Sequence, residues 1–205
     1  MTAPFAFGGN TLPAVNISYS NFLEEMIAAD LPDNETGRFP VLSDEETERR
    51  TNIFVADWKI HEKEIVSSMQ DVLGLQFSEN SIPVYLVSRY DTAFSNPLIV
   101  SLRYERKQFV PVLVHELAHR LLTTNTKKVP VGTIWSKMFP KESQLTRNHV
   151  LVYATLQYVF LDVLHQPEML ASERKIKHPD YVRAWEIVDR RGYKNILAEF
   201  RKYYE

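Results

Sequence analysis

The sequence predicts an α+β fold that is mostly helical, with a small sheet before a helix that carries the motif His-Glu-x-x-His. Two segments rich in branched and aromatic residues, Ile82–Arg89 and Leu98–Tyr104, have the composition of strands. The motif follows them inside a strongly apolar stretch, and the second half of the chain has the apolar spacing of helices. Strands followed by segregated helices are typical of the α+β class.

The first part of the chain, residues 1–42, is rich in Pro, Gly and Asn, which predicts an irregular N-terminal segment. Within it, Val15–Tyr19 reads as a short strand and Asn21–Asp30 as a brief helix. Ser43 is followed three residues later by Glu46, a spacing typical of a helix start. This helix, or pair of helices, ends at Gly74. Its apolar positions are Phe54, Trp58, Ile65, Met69 and Val72.

Between the two predicted strands, Ser95-Asn96-Pro97 indicates a turn. The motif helix is predicted from about Gln108 to Thr123, which places Pro111 in its first turn, where proline is tolerated. The remaining elements are a polar connection at Thr124–Ser143, an apolar helix at Gln144–Leu164, and two or three shorter helices over Pro167–Glu205, broken near His178-Pro179 and at Gly192.

These elements predict one domain over residues 1–205, with a catalytic core at 43–165 and a helical C-terminal extension at 166–205. A chain of 205 residues, 44% hydrophobic, is long enough to bury a core of its own. A net charge of −2 argues against a nucleic-acid partner, and no apolar run approaches the length of a membrane span. Without a recognisable signal peptide, we expect a cytoplasmic protein.

The motif itself indicates a metal and a base. His115 and His119 are four residues apart, so on a helix both imidazoles face the same side and can reach one metal ion. Glu116 directly follows the first histidine, which places its carboxylate beside the metal, where it can take a proton from water. Cysteine is absent from the chain, so thiolate ligands are excluded.

On this motif the chain resembles the zincin metallopeptidases, over about residues 82 to 165. The extended metzincin pattern is missing, because Leu122 and Asn125 stand where that pattern has Gly and His. The cysteine ligand of peptide deformylases is missing as well. The resemblance is therefore to a gluzincin-type arrangement, in which the third ligand lies on the next helix. It implies that Leu98–Tyr104 is the strand along which a peptide substrate is added.

A catalytic zinc ion needs a third protein ligand in addition to the two histidines. In thermolysin-like enzymes an Asn-Glu pair on the second helix supplies this ligand, and here the matching position reads Arg147-Asn148-His149. The resemblance therefore implies His149 as the third ligand of a three-histidine zinc site. Glu142 stays open as an alternative, since it has the family's residue type but precedes the predicted helix.

One further residue, Tyr153, lies one turn after His149 and could donate a hydrogen bond to the tetrahedral intermediate. The plainer interpretation, which we favour, is a core tyrosine with a satisfied hydroxyl. The function predicted is a zinc-dependent metallopeptidase acting on peptides or proteins, with Glu116 as general base. Another zinc-dependent amide hydrolase, and a non-catalytic zincin-like interaction domain, are the alternatives. Neither the substrate preference nor the oligomeric state has a signal in the sequence.

Overall fold

A small sheet and a larger set of helices make up the part of the chain described by this computed structural model, residues 12–30, 39–127 and 129–204. The strands are β1 (Ala14–Tyr19), β2 (Ser81–Val87), β3 (Ala93–Ser95) and β4 (Leu98–Ser101). The helices are α1 (Asn21–Asp30), α2 (Asp44–Leu73), α3 (Arg106–Thr124), α4 (Val131–Met138), α5 (Gln144–Gln157), α6 (Pro179–Arg191) and α7 (Tyr193–Arg201). This is the α+β, mostly helical class that the sequence predicts.

The sheet has the strand order β1-β2-β4-β3. Strands β1, β2 and β4 are parallel, and the short β3 runs antiparallel to β4 at the edge. The predicted turn at residues 95–97 therefore joins β3 to β4, and not β2 to β4 as expected. The predicted strand Leu98–Tyr104 ends at Ser101 and lies inside the sheet, so both of its edges are already paired.

The segment after Ser43, for which the sequence leaves one helix or two open, is one continuous helix, α2. The Ser43 side chain accepts a hydrogen bond from the Glu46 backbone N–H at its start. Gly74 ends it with a φ of 61°, a left-handed conformation that favours glycine. Four of the five apolar positions predicted for it are buried and Val72 is half-buried. Phe54 stacks on Phe109 of α3 with ring centroids 4.1 Å apart.

The motif helix α3 begins at Arg106, two residues earlier than predicted, and Glu105 and Gln108 form a capping box at its start. Pro111 is consequently the sixth residue of the helix, so the prediction that it lies in the first turn is wrong. The helix is buried on most of its circumference, as its apolar sequence predicts. It contacts β3 and β4 of the sheet on one side and helices α2 and α5 on others.

The polar connection predicted over residues 124–143 contains a helix, α4, and that prediction is wrong. Its apolar residues recur at helical spacing and are buried: Val131, Ile134, Trp135 and Met138. The sequence of α4 alone shows this helical spacing. The spacing is lost when a longer stretch of sequence is considered, because α4 is short and polar residues lie on either side of it.

Helix α5 begins with Ser143 as its N-cap and continues at its end as a π-helical turn, Tyr158–Val163. The predicted helix 144–164 thus exists, with its last turn widened. Helices α6 and α7 both pack against α5, and β1 pairs with β2. The segments 1–42 and 166–205 therefore both contribute elements that pack on residues 43–165. No helix in the described ranges is long and apolar enough to cross a membrane.

Candidate metal centre

Three histidines converge where α3 and α5 pack against each other. Helix α3 presents His115 and His119 one turn apart, and α5 presents His149. The Nε2 atom of His119 lies 3.2 Å from Nε2 of His115 and 3.3 Å from Nε2 of His149. One ring nitrogen from each of the three histidines lies within 4.8 Å of the others, so the three side chains are close enough to share a metal ion.

The outer ring nitrogens of two of these histidines are held by hydrogen-bond acceptors. Nδ1 of His115 lies 2.7 Å from Oε2 of Glu173, a carboxylate that is 3% exposed. Nδ1 of His149 donates to the backbone carbonyl oxygen of Leu145 at 2.8 Å. A hydrogen on Nδ1 leaves the lone pair of a neutral imidazole on Nε2. Both rings are therefore oriented to offer Nε2 to the centre of the group.

The protonation of the group is set by burial and by Glu173. Burial and the charge of His115 lower the pKa of His149 to about 4. Burial and the charges of the other two histidines hold the pKa of His119 well below 6.5. Burial also opposes protonation of His115, but the charge and hydrogen bond of Glu173 outweigh it and raise the His115 pKa. His119 and His149 are thus neutral at pH 7, as metal ligation requires.

The histidines lie in the wall of a cavity of about 350 Å³, which Glu116 also lines. Burial raises the pKa of Glu116, and the nearby charge of Glu173 raises it further, whereas the charge of His115 opposes the rise. A carboxylate with a raised pKa binds a proton more readily near neutral pH, which suits a general base.

The rest of the cavity wall combines aromatic and apolar residues with the polar residues Thr92, Ser95, Asn148 and Glu173. Tyr104 and Tyr181 contribute phenols, and burial raises the pKa of both, so each hydroxyl is protonated at neutral pH and can donate a hydrogen bond. The edge strand β3 contributes all three of its residues. Val112, Leu145 and Ile176 complete the apolar part.

The structure separates the two candidates for the third ligand. His149 joins His115 and His119, whereas Glu142 forms an ion pair with Arg183 of α6, with Oε1 2.8 Å from Nη2, and is not part of the histidine group.

Tyr153 is fully buried and is not among the residues that line the cavity. Its ring stacks on Trp185 at 4.1 Å and lies 5.6 Å from the His149 ring, centroid to centroid. Its hydroxyl is buried without a hydrogen bond of standard geometry to any described residue. It has the packed position of a core tyrosine, although not the satisfied hydroxyl that we expected.

Three features of the site are missing from our predictions, and only one of the three has a signal in the sequence. Glu173 lies in a single turn of 3₁₀-helix, in a polar run where no spacing marks it. The edge strand β3 has only three residues. Tyr181, in contrast, could have been found, because it shares helical spacing with the buried residues Ala184, Trp185 and Val188 of α6.

No known protein family, curated protein or solved structure matches the chain in comparisons of sequence and of structure.

Proposed function

We propose that this protein is a zinc-dependent peptidase of the zincin type. The observation that carries the proposal is the convergence of the Nε2 atoms of His115, His119 and His149 at the wall of a cavity that also holds Glu116. Three imidazoles and a free position form a ligand set used by catalytic zinc. The carboxylate beside the set supplies the base that hydrolysis requires.

The residues present fit a zinc ion. Each of the three histidines is neutral or becomes neutral on losing one proton. The Glu173 carboxylate holds Nδ1 of His115, and the Leu145 carbonyl oxygen holds Nδ1 of His149. Imidazole nitrogen is a donor that zinc prefers, together with copper, iron and nickel. Zinc bound here would supply a Lewis acid that lowers the pKa of water and polarises a carbonyl group.

In amide hydrolysis, different residues of the chain would transfer the proton and donate hydrogen bonds to the carbonyl oxygen. Glu116 accepts a proton from the attacking water and gives it to the leaving amine, because its carboxylate faces the cavity and has a raised pKa. The phenol hydroxyls of Tyr104 and Tyr181 are the available donors for a carbonyl oxygen that gains negative charge. Tyr153, which does not line the cavity, is assigned to packing.

A peptide is the favoured substrate because of the sheet edge. Among the described residues, strand β3 pairs with β4 on one side only, and its three residues line the cavity. An extended peptide can add to such an edge through backbone hydrogen bonds. We therefore transfer the substrate-strand role from Leu98–Tyr104 to β3. The position of β3, an antiparallel edge strand in contact with the motif helix, also supports our proposal of a zincin-like fold.

The test is metal analysis of the purified protein combined with digestion of a peptide library. We expect about one zinc ion per chain and cleavage that stops on chelation and returns with zinc. Bound zinc without cleavage of any peptide would favour an amide hydrolase with another substrate. Absence of metal after purification and after incubation with zinc would favour a non-catalytic interaction domain.

A change of Glu173 to Gln should weaken zinc binding by about 10–100-fold, because Glu173 orients His115 and keeps its ring basic. The measurement is a competition titration with a zinc-binding dye, made together with the melting temperature of the metal-free protein. Glu168→Gln, in the preceding turn, is the matched control and should bind zinc like the parent. Unchanged zinc affinity in Glu173→Gln would show that the carboxylate has no role in the site.

A further inference from the structure

A second cavity, of about 540 Å³, lies next to the metal centre. Asn148 lines both cavities, and its neighbours in sequence divide between them, with Arg147 in the second cavity and His149 at the metal centre. On α3, Thr123 lines the second cavity one turn after His119. The two cavities therefore adjoin along α3 and α5, and α4 forms much of the remaining wall of the second one.

Arg147 places a positive charge in the wall of the second cavity. Its Nε donates to the backbone oxygen of Glu142 and its Nη1 to Oγ of Ser136, both at 2.7 Å. These bonds use two of the five N–H donors of a guanidinium group. Arg147 forms no ion pair within the described residues, since the nearby Glu142 carboxylate is bound by Arg183. None of the described residues that line the cavity is acidic.

Two of the other polar side chains of the cavity can donate to an anion, because Gln144 and Asn148 have amide N–H groups. The Thr123 and Ser136 hydroxyls instead donate to the backbone oxygens of His119 and Gly132. The first turns of two helices line the cavity, through Gly132 of α4 and Gln144 of α5. The N-terminal end of a helix is positive, which favours a bound negative group. The first turn of α4 therefore adds to the positive charge of Arg147, whereas the start of α5 already has the Asp180 carboxylate beside it, which accepts from the side chains of Ser143 and Thr146.

The distance between the two cavities determines how many peptide residues a ligand bound in both would need between its two bound groups. Four residues of α3 separate His119 from Thr123, a rise of about 6 Å. An extended peptide advances about 3.3–3.6 Å per residue. A negative group held in the second cavity would thus belong to a residue one to three positions from the bond at the histidines.

We propose that the second cavity binds the C-terminal carboxylate of a peptide, so that the protein removes short C-terminal pieces from its substrates. This inference rests on the proposed function and names the substrate class of the same site. In the reaction, the C–N bond of one amide breaks, the OH of water adds to the acyl carbon, and its proton goes to the leaving amine through Glu116. The released piece carries the carboxylate bound by Arg147.

The test measures binding and cleavage with a pair of peptides that differ only in a free or an amidated C-terminus. Binding is measured by calorimetry in zinc-loaded Glu116→Gln, where turnover is blocked. We expect the free acid to bind about tenfold or more tightly than the amide, because hydrogen bonds to charged groups are strong. Adding Arg147→Gln should remove this preference, and Arg147→Lys should retain part of it.

Lys137→Gln is the matched control, because it removes a positive charge from an exposed position of α4 outside the cavity wall. It should leave the preference for the free acid intact. Equal affinity for the two peptides, failure to bind either, or a preference that survives Arg147→Gln would overturn the carboxylate site. A preference for the free acid without cleavage by the zinc-loaded parent would instead contradict the proposed peptidase activity and leave the carboxylate site standing.

Discussion

Replacing Glu116 with Gln is expected to lower the rate of peptide hydrolysis by about 10²–10⁴-fold while the protein keeps its zinc. Gln has nearly the same shape as Glu but cannot accept the proton of the attacking water. Because Glu116 lines the cavity without being one of the three converging ligands, its loss should affect kcat more than metal content. The measurements are kcat and KM on a peptide selected from the library, with zinc determined on the same sample.

The control for this change is Glu64→Gln, which neutralises an exposed carboxylate of α2 that is not part of the cavity wall. It should hydrolyse the peptide at the parent rate. If Glu116→Gln itself kept the parent rate with full zinc, the carboxylate would not be the base and the mechanism would need another proton acceptor. If it lost its zinc, Glu116 would have to be counted among the ligands.

Replacing His149 with Ala should abolish hydrolysis and weaken zinc binding by more than about 100-fold, since loss of a direct ligand costs more than loss of the group that orients one. Only His115 and His119 remain in the group after this change. Competition titration gives the affinity. The melting temperature of the metal-free protein shows whether α5 still packs on α3.

Glu142→Ala is the matched variant, because Glu142 was the other candidate for the third ligand. Its carboxylate is bound by Arg183, so its removal should leave zinc affinity and turnover unchanged. The free energy of unfolding should change little, because partly exposed ion pairs contribute little to stability. The reverse result, with zinc lost in Glu142→Ala and kept in His149→Ala, would assign Glu142 to the metal and require a rearranged loop before α5.

The elements predicted well are those whose signals lie within a few neighbouring residues. The Ser43 cap, the apolar face and the Gly74 stop define α2 from local sequence alone. The His-Glu-x-x-His spacing likewise brings His115 and His119 together, because a helix repeats every 3.6 residues. The prediction of His149 as the third ligand required the resemblance to the zincins as well, since no local pattern connects His119 with a residue thirty positions away.

The features that the sequence does not predict depend on contacts between distant segments. Glu173 meets His115 across 58 positions, through a turn whose own sequence is polar and irregular. Strand β3 is too short for an alternating pattern, and it exists because β4 offers it a partner. The antiparallel placement of β3, and with it the position of β3 at the edge of the described sheet, follows from tertiary pairing alone.

The position of Glu173 along the chain has a consequence for the order of synthesis. A ribosome makes the chain from its N-terminus, so His115, His119 and His149 all exist before residue 173 is added. Until then His115 has no buried carboxylate on its Nδ1 atom. A nascent chain that stops short of residue 173 would carry the three histidines with one of them unoriented. Glu173 and Tyr181 are therefore made after all the other groups that would take part in the chemistry of the site.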